Sequence, residues 1–355
     1  VTGVAEVREG LTEIFRVSGH LAVGGSLNEI RMEPIGTGQM ADTLRVSLDR
    51  PPAGLPSSFV VKLPVAEGQT AVTARHAAVY ERELRFYREL RPELPGLECP
   101  RFYGTFDVEG EPALVLEEIL GAQQGNQIEG AVQGQAGLAV DQLAKFQVRW
   151  WNDEDFGSQD WLQRRAGAPI ADRQKRYLAA WAKVAESVAD DLVPGAAEVI
   201  EEFGHRCDLW SRSYDGPLTL VHHDYRLDNM LFTDHSVSIV DWQTLGWGPP
   251  AWDIAYFMGT SIPVEERRAT EREHVECHAE QLRESGVIGW DDDVAWHRYR
   301  QMSFSTLLLT VPAAGEVRTN KRARQMFVAM WNRAAQMVID LDAREFLLTE
   351  ADQPC

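Results

Sequence analysis

The chain has 355 residues, 44% hydrophobic, 25% charged and 9% aromatic, the composition of a soluble globular protein with room for two lobes and not of a disordered, fibrous or disulfide-rich one. With 54 Asp and Glu against 35 Lys and Arg, its formal charge is −19, a field that repels nucleic-acid phosphates and anionic membrane surfaces. The densest basic stretch, Arg318 to Arg324, is short and reads as one exposed helical face, so neither nucleic acid nor membrane is expected as a partner.

In chain order, Glu6 to Leu21 carries Val7, Leu11, Ile14 and Phe15 at helical spacing and predicts an amphipathic leading helix. Strands follow at Glu29 to Ile35 and Thr43 to Leu48, with the turn Gly36-Thr37-Gly38-Gln39 between them. Pro51-Pro52 breaks the chain, Phe59 to Leu63 is the next strand, and Thr70 to Leu90 is a long helix ended by Pro92 and Pro95. Phe102 to Phe106 and Pro112 to Leu116 read as an antiparallel pair. A change of character near residue 118 predicts an N-terminal lobe over 1–118 and a C-terminal lobe over 119–355. Gly121 to Gly137, rich in Gly and Gln, reads as a linker or mobile loop. Helices are then predicted at Leu138 to Trp151, Arg173 to Asp190, Ala196 to Ser213, Glu265 to Ser285, Asp292 to Thr310 and Asn320 to Leu341. Extended apolar stretches interrupt them at Leu218 to Val221, Met230 to Phe232 and Val237 to Val240. The whole is an α+β chain: a small antiparallel sheet with one long helix, then a larger, mainly helical lobe. Cys99, Cys207, Cys277 and Cys355 lie far apart without metal-ligand spacing and read as buried or idle thiols. No leader-like start and no apolar run of ~18–20 residues is visible, so a reducing cytoplasm is the expected compartment.

The chemistry concentrates in His222-His223-Asp224-Tyr225-Arg226-Leu227-Asp228-Asn229, an Asp and an Asn five residues apart before an apolar strand, followed by Asp241-Trp242-Gln243 at the end of another. An Asp can take the proton of a hydroxyl, while an Asn oxygen and a second carboxylate are hard ligands suited to Mg²⁺. This spacing matches phosphoryl transfer, which predicts further parts upstream. Three occur in the required order. Gly36-Thr37-Gly38-Gln39-Met40 sits between strands where backbone N–H groups can approach phosphate oxygens. Lys62 ends a strand, and Glu81 and Glu83 lie on the following helix, Glu83 being the preferred partner for the lysine. Singly, each part has a plain structural reading: a turn, a solvated edge lysine, an exposed helical ion pair, a capped loop. Their occurrence together and in order favours chemistry.

These residues resemble the aminoglycoside phosphotransferase and choline kinase-like family, which shares the protein kinase-like fold, over roughly Ile35 to Met258. Gly38 to Thr43, Glu83 to Tyr87, Val240 to Gln243 and Gly248 to Asp253 look most similar to its ecdysteroid kinase-like branch and bacterial relatives. The resemblance implies ATP- and Mg²⁺-dependent phosphorylation of a hydroxyl on a small molecule. By carry-over, Asp224 is the catalytic base and Asn229 and Asp241 hold Mg²⁺. Lys62 and Glu83 position phosphates beside Gly36, Gly38, Gln39 and Met40, and Glu118 and Ile119 meet the adenine from a hinge. His222 then braces the loop, and Asp253 holds its neighbourhood together. Two departures stand out: His223 replaces the usual glycine, and Phe146 to Trp151 lacks a histidine that relatives often carry. Tryptophans such as Trp150, Trp151, Trp161, Trp242, Trp247 and Trp252 either line an acceptor pocket in the second lobe or fill its core. The acidic balance suits a neutral or cationic acceptor, and a bulky hydroxylated metabolite or natural product is the expected class. The rivals are a pseudokinase scaffold, which has no chemical need for Lys62, Asp224, Asn229 and Asp241 together, and a protein kinase, for which no Asp-Phe-Gly or Ala-Pro-Glu is present.

Overall fold

A computed structural model describes residues 3–35, 42–64, 73–167, 172–316 and 321–347. The chain divides into two compact units. The first comprises 1–93, 98–122 and 238–243, and the second comprises 94–97, 123–237 and 244–355. The units are thus interleaved in sequence. Residues 238–243 join the first unit because Ile239 N–H donates to the Glu98 carbonyl at 2.9 Å and the Trp242 ring stacks on Phe86 with centroids 3.8 Å apart.

In the first unit α1 (Val4–Val17) precedes β1 (Ile30–Pro34), β2 (Asp42–Leu48) and β3 (Ser58–Leu63). Helix α2 (Thr73–Arg85) and strands β4 (Phe102–Val108) and β5 (Glu111–Glu117) follow. The strands form one antiparallel sheet in the order β1-β2-β3-β5-β4. Strand periodicity divides β3 between two faces. Phe59, Val61 and Leu63 are buried with Val7, Leu11, Ile14 and Phe15 of α1 in a common core, as the helical spacing predicts. Val60 and Lys62 point from the opposite face. The long helix expected to reach Leu90 instead turns into a single π-helical turn, Phe86–Leu90, and a 3₁₀ turn, Arg91–Glu93. The widened turn lets Phe86 stack on Trp242 while Tyr87 stacks on Phe102 with centroids 5.8 Å apart.

The second unit begins with β6 (Gln123–Gln124), α3 (Gln135–Gln147), α4 (Glu154–Gly157), β7 (Gln163–Arg164), α5 (Arg173–Val188), α6 (Ala196–Gly204) and α7 (Cys207–Arg212). Short strands β8 (Thr219–Val221), β9 (Met230–Phe232), β10 (Val237–Ile239, which crosses into the first unit) and β11 (Gly246–Gly248) follow. Helices α8 (Ala251–Ser261), α9 (Val264–Glu284), α10 (Asp292–Met302), α11 (Ser305–Glu316) and α12 (Lys321–Asp340) complete it. β11 pairs antiparallel with β8 and parallel with β7. Two helices expected to be continuous are broken. Ala196 to Ser213 divides at His205–Arg206, and Asp292 to Thr310 divides at Ser303–Phe304, where Phe304 stacks on Phe203 with centroids 4.8 Å apart. Fully burying such a side chain contributes about 1.5–3 kcal/mol, more than a neutral backbone hydrogen bond lost at the break. Trp150, Trp247 and Trp252 are buried in the core of this unit and Trp242 in that of the first, which favours the packing reading of these four. Among the described residues no helix is long and apolar enough to cross a membrane, and Cys99 and Cys207 are buried.

Candidate active site

In the first unit the end of β3, the last turns of α2 and the segment after Ile239 bring three of the expected residues together. Lys62 Nζ lies 2.6 Å from Glu83 Oε1 and 3.6 Å from Asp241 Oδ1. Glu83 is fully buried, and its second oxygen accepts from Gln243 Nε2 at 3.2 Å. Glu81, the alternative, pairs instead with Arg85 on the helix surface at 2.8 Å. Burial alone pushes the Lys62 ammonium down, but Glu83 and Asp241 outweigh it and hold its pKa above the ordinary lysine value. The same burial pushes the Glu83 carboxyl up, with Lys62 opposing. Asp241 has φ +66°, and its Oδ1 is buried without a hydrogen bond. A buried carboxylate oxygen left open in this way fits a cation-binding role. Nothing in the sequence assigns Gln243 a role; as the second partner of Glu83 it needs the fold to bring residues 160 positions apart into contact.

Glu118 accepts from Arg45 Nε at 2.5 Å and, with Ile119, Ser47, Ser58 and Ala122, lines a cavity of about 450 Å³ beside the end of β5. Gly36, Gly38, Gln39 and Met40 lie outside the described residues.

In the second unit, the loop after β8 carries Asp224 and Asn229. Asn229 Nδ2 donates both to the Asp224 carbonyl at 2.8 Å and to its Oδ2 at 2.9 Å. Using the amide nitrogen in this way leaves the Asn229 carbonyl oxygen as the atom available to a hard cation. Arg226 Nε and the Tyr256 hydroxyl both donate to Asp224 Oδ1, at 3.0 and 2.9 Å, and Arg226 Nη1 donates to Asp228 Oδ2 at 3.0 Å.

The loop itself is held by Asp253 at the start of α8. Its carboxylate oxygens accept the backbone N–H groups of His222 at 2.8 Å and His223 at 2.9 Å. Burial pushes this carboxyl up to about 7, with the two backbone donors opposing. Asp253 therefore anchors the loop, as the sequence suggested. His223 occupies a left-handed backbone position, φ +67°, of the kind glycine adopts without strain. That accounts for the glycine of relatives at this point, and histidine is among the residues that tolerate it best. Its ring donates from Nδ1 to the Thr244 carbonyl at 3.0 Å and lies edge-on to Trp252. Gly246 gives it room: a Cβ there would sit 2.2 Å from the Gln163 carbonyl oxygen and 2.5 Å from His223 Cε1.

The segment expected to be a linker or mobile loop is instead a strap on this loop. Gln124 Nε2 donates to the Asp228 carbonyl at 2.6 Å, and Gln127 Oε1 accepts from Leu227 N–H at 3.0 Å. Gln127 Nε2 donates to the Thr260 carbonyl at 2.8 Å. Its glycine has a close-approach role, since a Cβ on Gly125 would meet the Leu227 carbonyl oxygen at 2.6 Å. Low complexity conceals this function because the partners lie about a hundred residues away. The missing histidine of the Phe146 to Trp151 helix is matched by a different arrangement, in which Gln147 Oε1 accepts from buried His278 Nε2 at 2.8 Å.

Residues 31–300 match the model of the phosphotransferase enzyme family (APH). The chain belongs to that family. The APH match spans most of the chain and carries with it the coarse activity, phosphoryl transfer to a small molecule. By structure, this APH chain is similar to choline kinase from Cryptosporidium parvum Iowa II, with a TM-score of 0.58 and 12% identity, covering 94% of this chain and 97% of the other. That likeness shows the two-lobed kinase-like fold. Weaker likenesses are to the ADP-bound aminoglycoside phosphotransferase APH(2'')-Ib (TM-score 0.46, 15% identity, 92% and 98% coverage) and to a choline/ethanolamine kinase family protein from Mesorhizobium loti (0.46, 16%, 90% and 89%). No curated protein matches the chain by sequence.

Proposed function

We propose that this APH-family protein transfers the γ-phosphoryl group of ATP, with Mg²⁺, to a hydroxyl group of a small molecule. The observation that carries the reading is the buried Lys62 ammonium, held between the Glu83 and Asp241 carboxylates on the face of the sheet turned away from α1. Such a cation is charged, fixed in position and suited to phosphate oxygens. About three to four residues of β3, or roughly 10–13 Å at a strand rise of about 3.3 Å, separate Lys62 from the cavity beside Glu118 and Ile119. That spacing suits a nucleotide with its base at the hinge and its phosphates at the lysine.

In this reading Asp224 accepts the proton of the acceptor hydroxyl. The hydroxyl oxygen forms a bond to the γ-phosphorus, and the bond from that phosphorus to the β–γ bridging oxygen breaks, its electron pair leaving with ADP. The Asn229 carbonyl oxygen and Asp241 would hold Mg²⁺; when bound, the ion neutralises charge developing on the phosphate oxygens. These two residues are too few to hold an ion alone, so nucleotide phosphates and water supply its other ligands. The small-molecule class of acceptor is supported by the connection from Asp241 to Asp253, whose 11 intervening residues are taken up by a 3₁₀ turn, β11 and the start of α8. A coupled ADP-release screen with Mg·ATP over aminoglycosides, amino sugars, choline, macrolides and steroids tests the proposal. Turnover on one acceptor, lost in Asp224→Ala with nucleotide binding retained, is the expected result; absence of any thermal stabilisation by nucleotides with Mg²⁺ would overturn it.

A further inference from the structure

The carboxylate of Asp224 is not symmetrically occupied. Oδ1 accepts two hydrogen bonds, from Arg226 Nε at 3.0 Å and from the Tyr256 hydroxyl at 2.9 Å, whereas Oδ2 accepts one, from Asn229 Nδ2 at 2.9 Å. A carboxylate oxygen offers about two lone-pair sites. Oδ1 is therefore filled, and one site stays open on Oδ2.

Tyr256 sits on α8, three residues beyond Asp253, and is buried. Burial and then the adjoining Asp224 push its phenol well above the usual range, so it remains a proton donor. Arg226 is fixed by a second bond to Asp228. Both donors are thus held before any acceptor arrives, one by a packed helix and the other by an ion pair on the loop.

We propose that Tyr256 is a positioning residue: together with Arg226 it saturates Oδ1 of Asp224 and so reserves the open lone pair of Oδ2 for the hydroxyl of the acceptor. The inference rests on the reading of Asp224 as the base and adds to it a group that touches neither substrate. It also gives the buried tyrosine hydroxyl a role: α8 thereby anchors the loop twice, through Asp253 to the backbone and through Tyr256 to the side chain proposed to react.

The test is Tyr256→Phe, which removes one oxygen and keeps the ring. Removing the hydroxyl leaves Oδ1 with the Arg226 donor and frees the carboxylate to turn away from the acceptor. On the acceptor found by the ADP-release screen, or on water as acceptor through Mg·ATP hydrolysis, kcat should fall about 10–100-fold, as for a positioned proton acceptor losing alignment. The KM for ATP should stay unchanged. Arg226→Gln, which removes the other donor to Oδ1, should likewise lower kcat with the KM for ATP unchanged, and serves if Tyr256→Phe folds poorly. A kcat unmoved in Tyr256→Phe, or one that falls only together with a weakened KM for ATP, would overturn the inference alone. Turnover by Asp224→Asn equal to wild type would remove the underlying assignment of the base.

Discussion

The Lys62–Glu83 pair allows the structural and functional demands on one ion pair to be separated. Glu83 is fully buried, and the Lys62 side chain is 12% exposed. Replacing Glu83 by Leu leaves the ammonium with Asp241 at 3.6 Å and strips Gln243 Nε2 of its acceptor. Breaking a buried pair from one side costs about 3–5 kcal/mol, and the orphaned amide adds to that about 1–3 kcal/mol. Lys62→Met leaves Glu83 buried with only Gln243. Burial already pushes this carboxyl up, so loss of the ammonium favours its neutral form and limits the loss to the lower end of that range. The double variant Lys62→Met, Glu83→Leu removes both charges and should cost about 2–3 kcal/mol less than the sum of the singles, since residues in contact couple by about 0.5–3 kcal/mol. Urea unfolding of the four proteins at pH 7.5 measures this directly. Nucleotide affinity, read by titration with Mg·ATP, should instead be lost in all three variants, because restoring stability does not restore the cation. Additive stabilities would refute the buried-pair reasoning. Nucleotide binding by the double variant at wild-type affinity would refute the assignment of Lys62 to phosphate.

Burial pushes His278 down to about 3, against an ordinary value of 6.5. Its folded-state pKa is depressed, so its contribution is present above pH 6.5 and is lost as the pH falls towards 3. Between pH 6.5 and 4.5 it should cost roughly 2–3 kcal/mol of stability, and His278→Gln should flatten that part of the stability profile in urea melts; an unchanged slope would show that the ring is not held neutral. Gly246→Ala drives a methyl into the Gln163 carbonyl and the His223 ring. It should destabilise by about 1–3 kcal/mol or more and lower kcat, checked by unfolding and by the ADP-release assay. His223→Gly relieves the left-handed backbone but removes a buried ring and its bond to Thr244. A net loss of about 1–2 kcal/mol is expected, with turnover kept within about tenfold (~1.4 kcal/mol in the barrier), because no reacting group is lost.

The parts of the molecule that were legible in sequence are those set by local periodicity or by chemistry at fixed spacing. Val7, Leu11, Ile14 and Phe15 announce α1, alternation announces β3, and the separation of Asp224 from Asn229 announces the loop. Glu83 could be preferred to Glu81 beforehand, yet only the packing of α2 on β3 distinguishes a buried partner from a surface one. What stayed hidden depends on contacts across the chain. Gln127 and Gln124 sit in a stretch without periodicity, and nothing nearby indicates that they fasten Leu227 and Asp228. Gln243 and Tyr256 are ordinary until Glu83 and Asp224 are brought to them. The breaks after Gly204 and Met302 were missed because each interrupted helix keeps a plausible apolar period through the break, and aromatic packing at Phe304 decides between them.

Among the described residues, two of the six non-glycine positions with positive φ are His223, beside the proposed base, and Asp241, a proposed cation ligand. Strain of this kind persists only when the surroundings over-determine it. At His223 the surroundings are the Asp253 carboxylate, the Thr244 carbonyl and the Trp252 edge; at Asp241 they are the Ile239–Glu98 backbone bond and the Trp242–Phe86 stack. Each unit therefore holds the carboxylate proposed for the reaction by similar means: a backbone bent into a disfavoured region, at Asp241 itself and at His223 beside Asp224, and locked there by a buried aromatic and a hydrogen bond to the backbone. A flexible loop could present the same side chains, but it would pay their ordering entropy at every turnover. The π turn at Phe86 and the buried Asp253 thereby support the proposed reaction by fixing Asp241 and Asp224 before a ligand arrives.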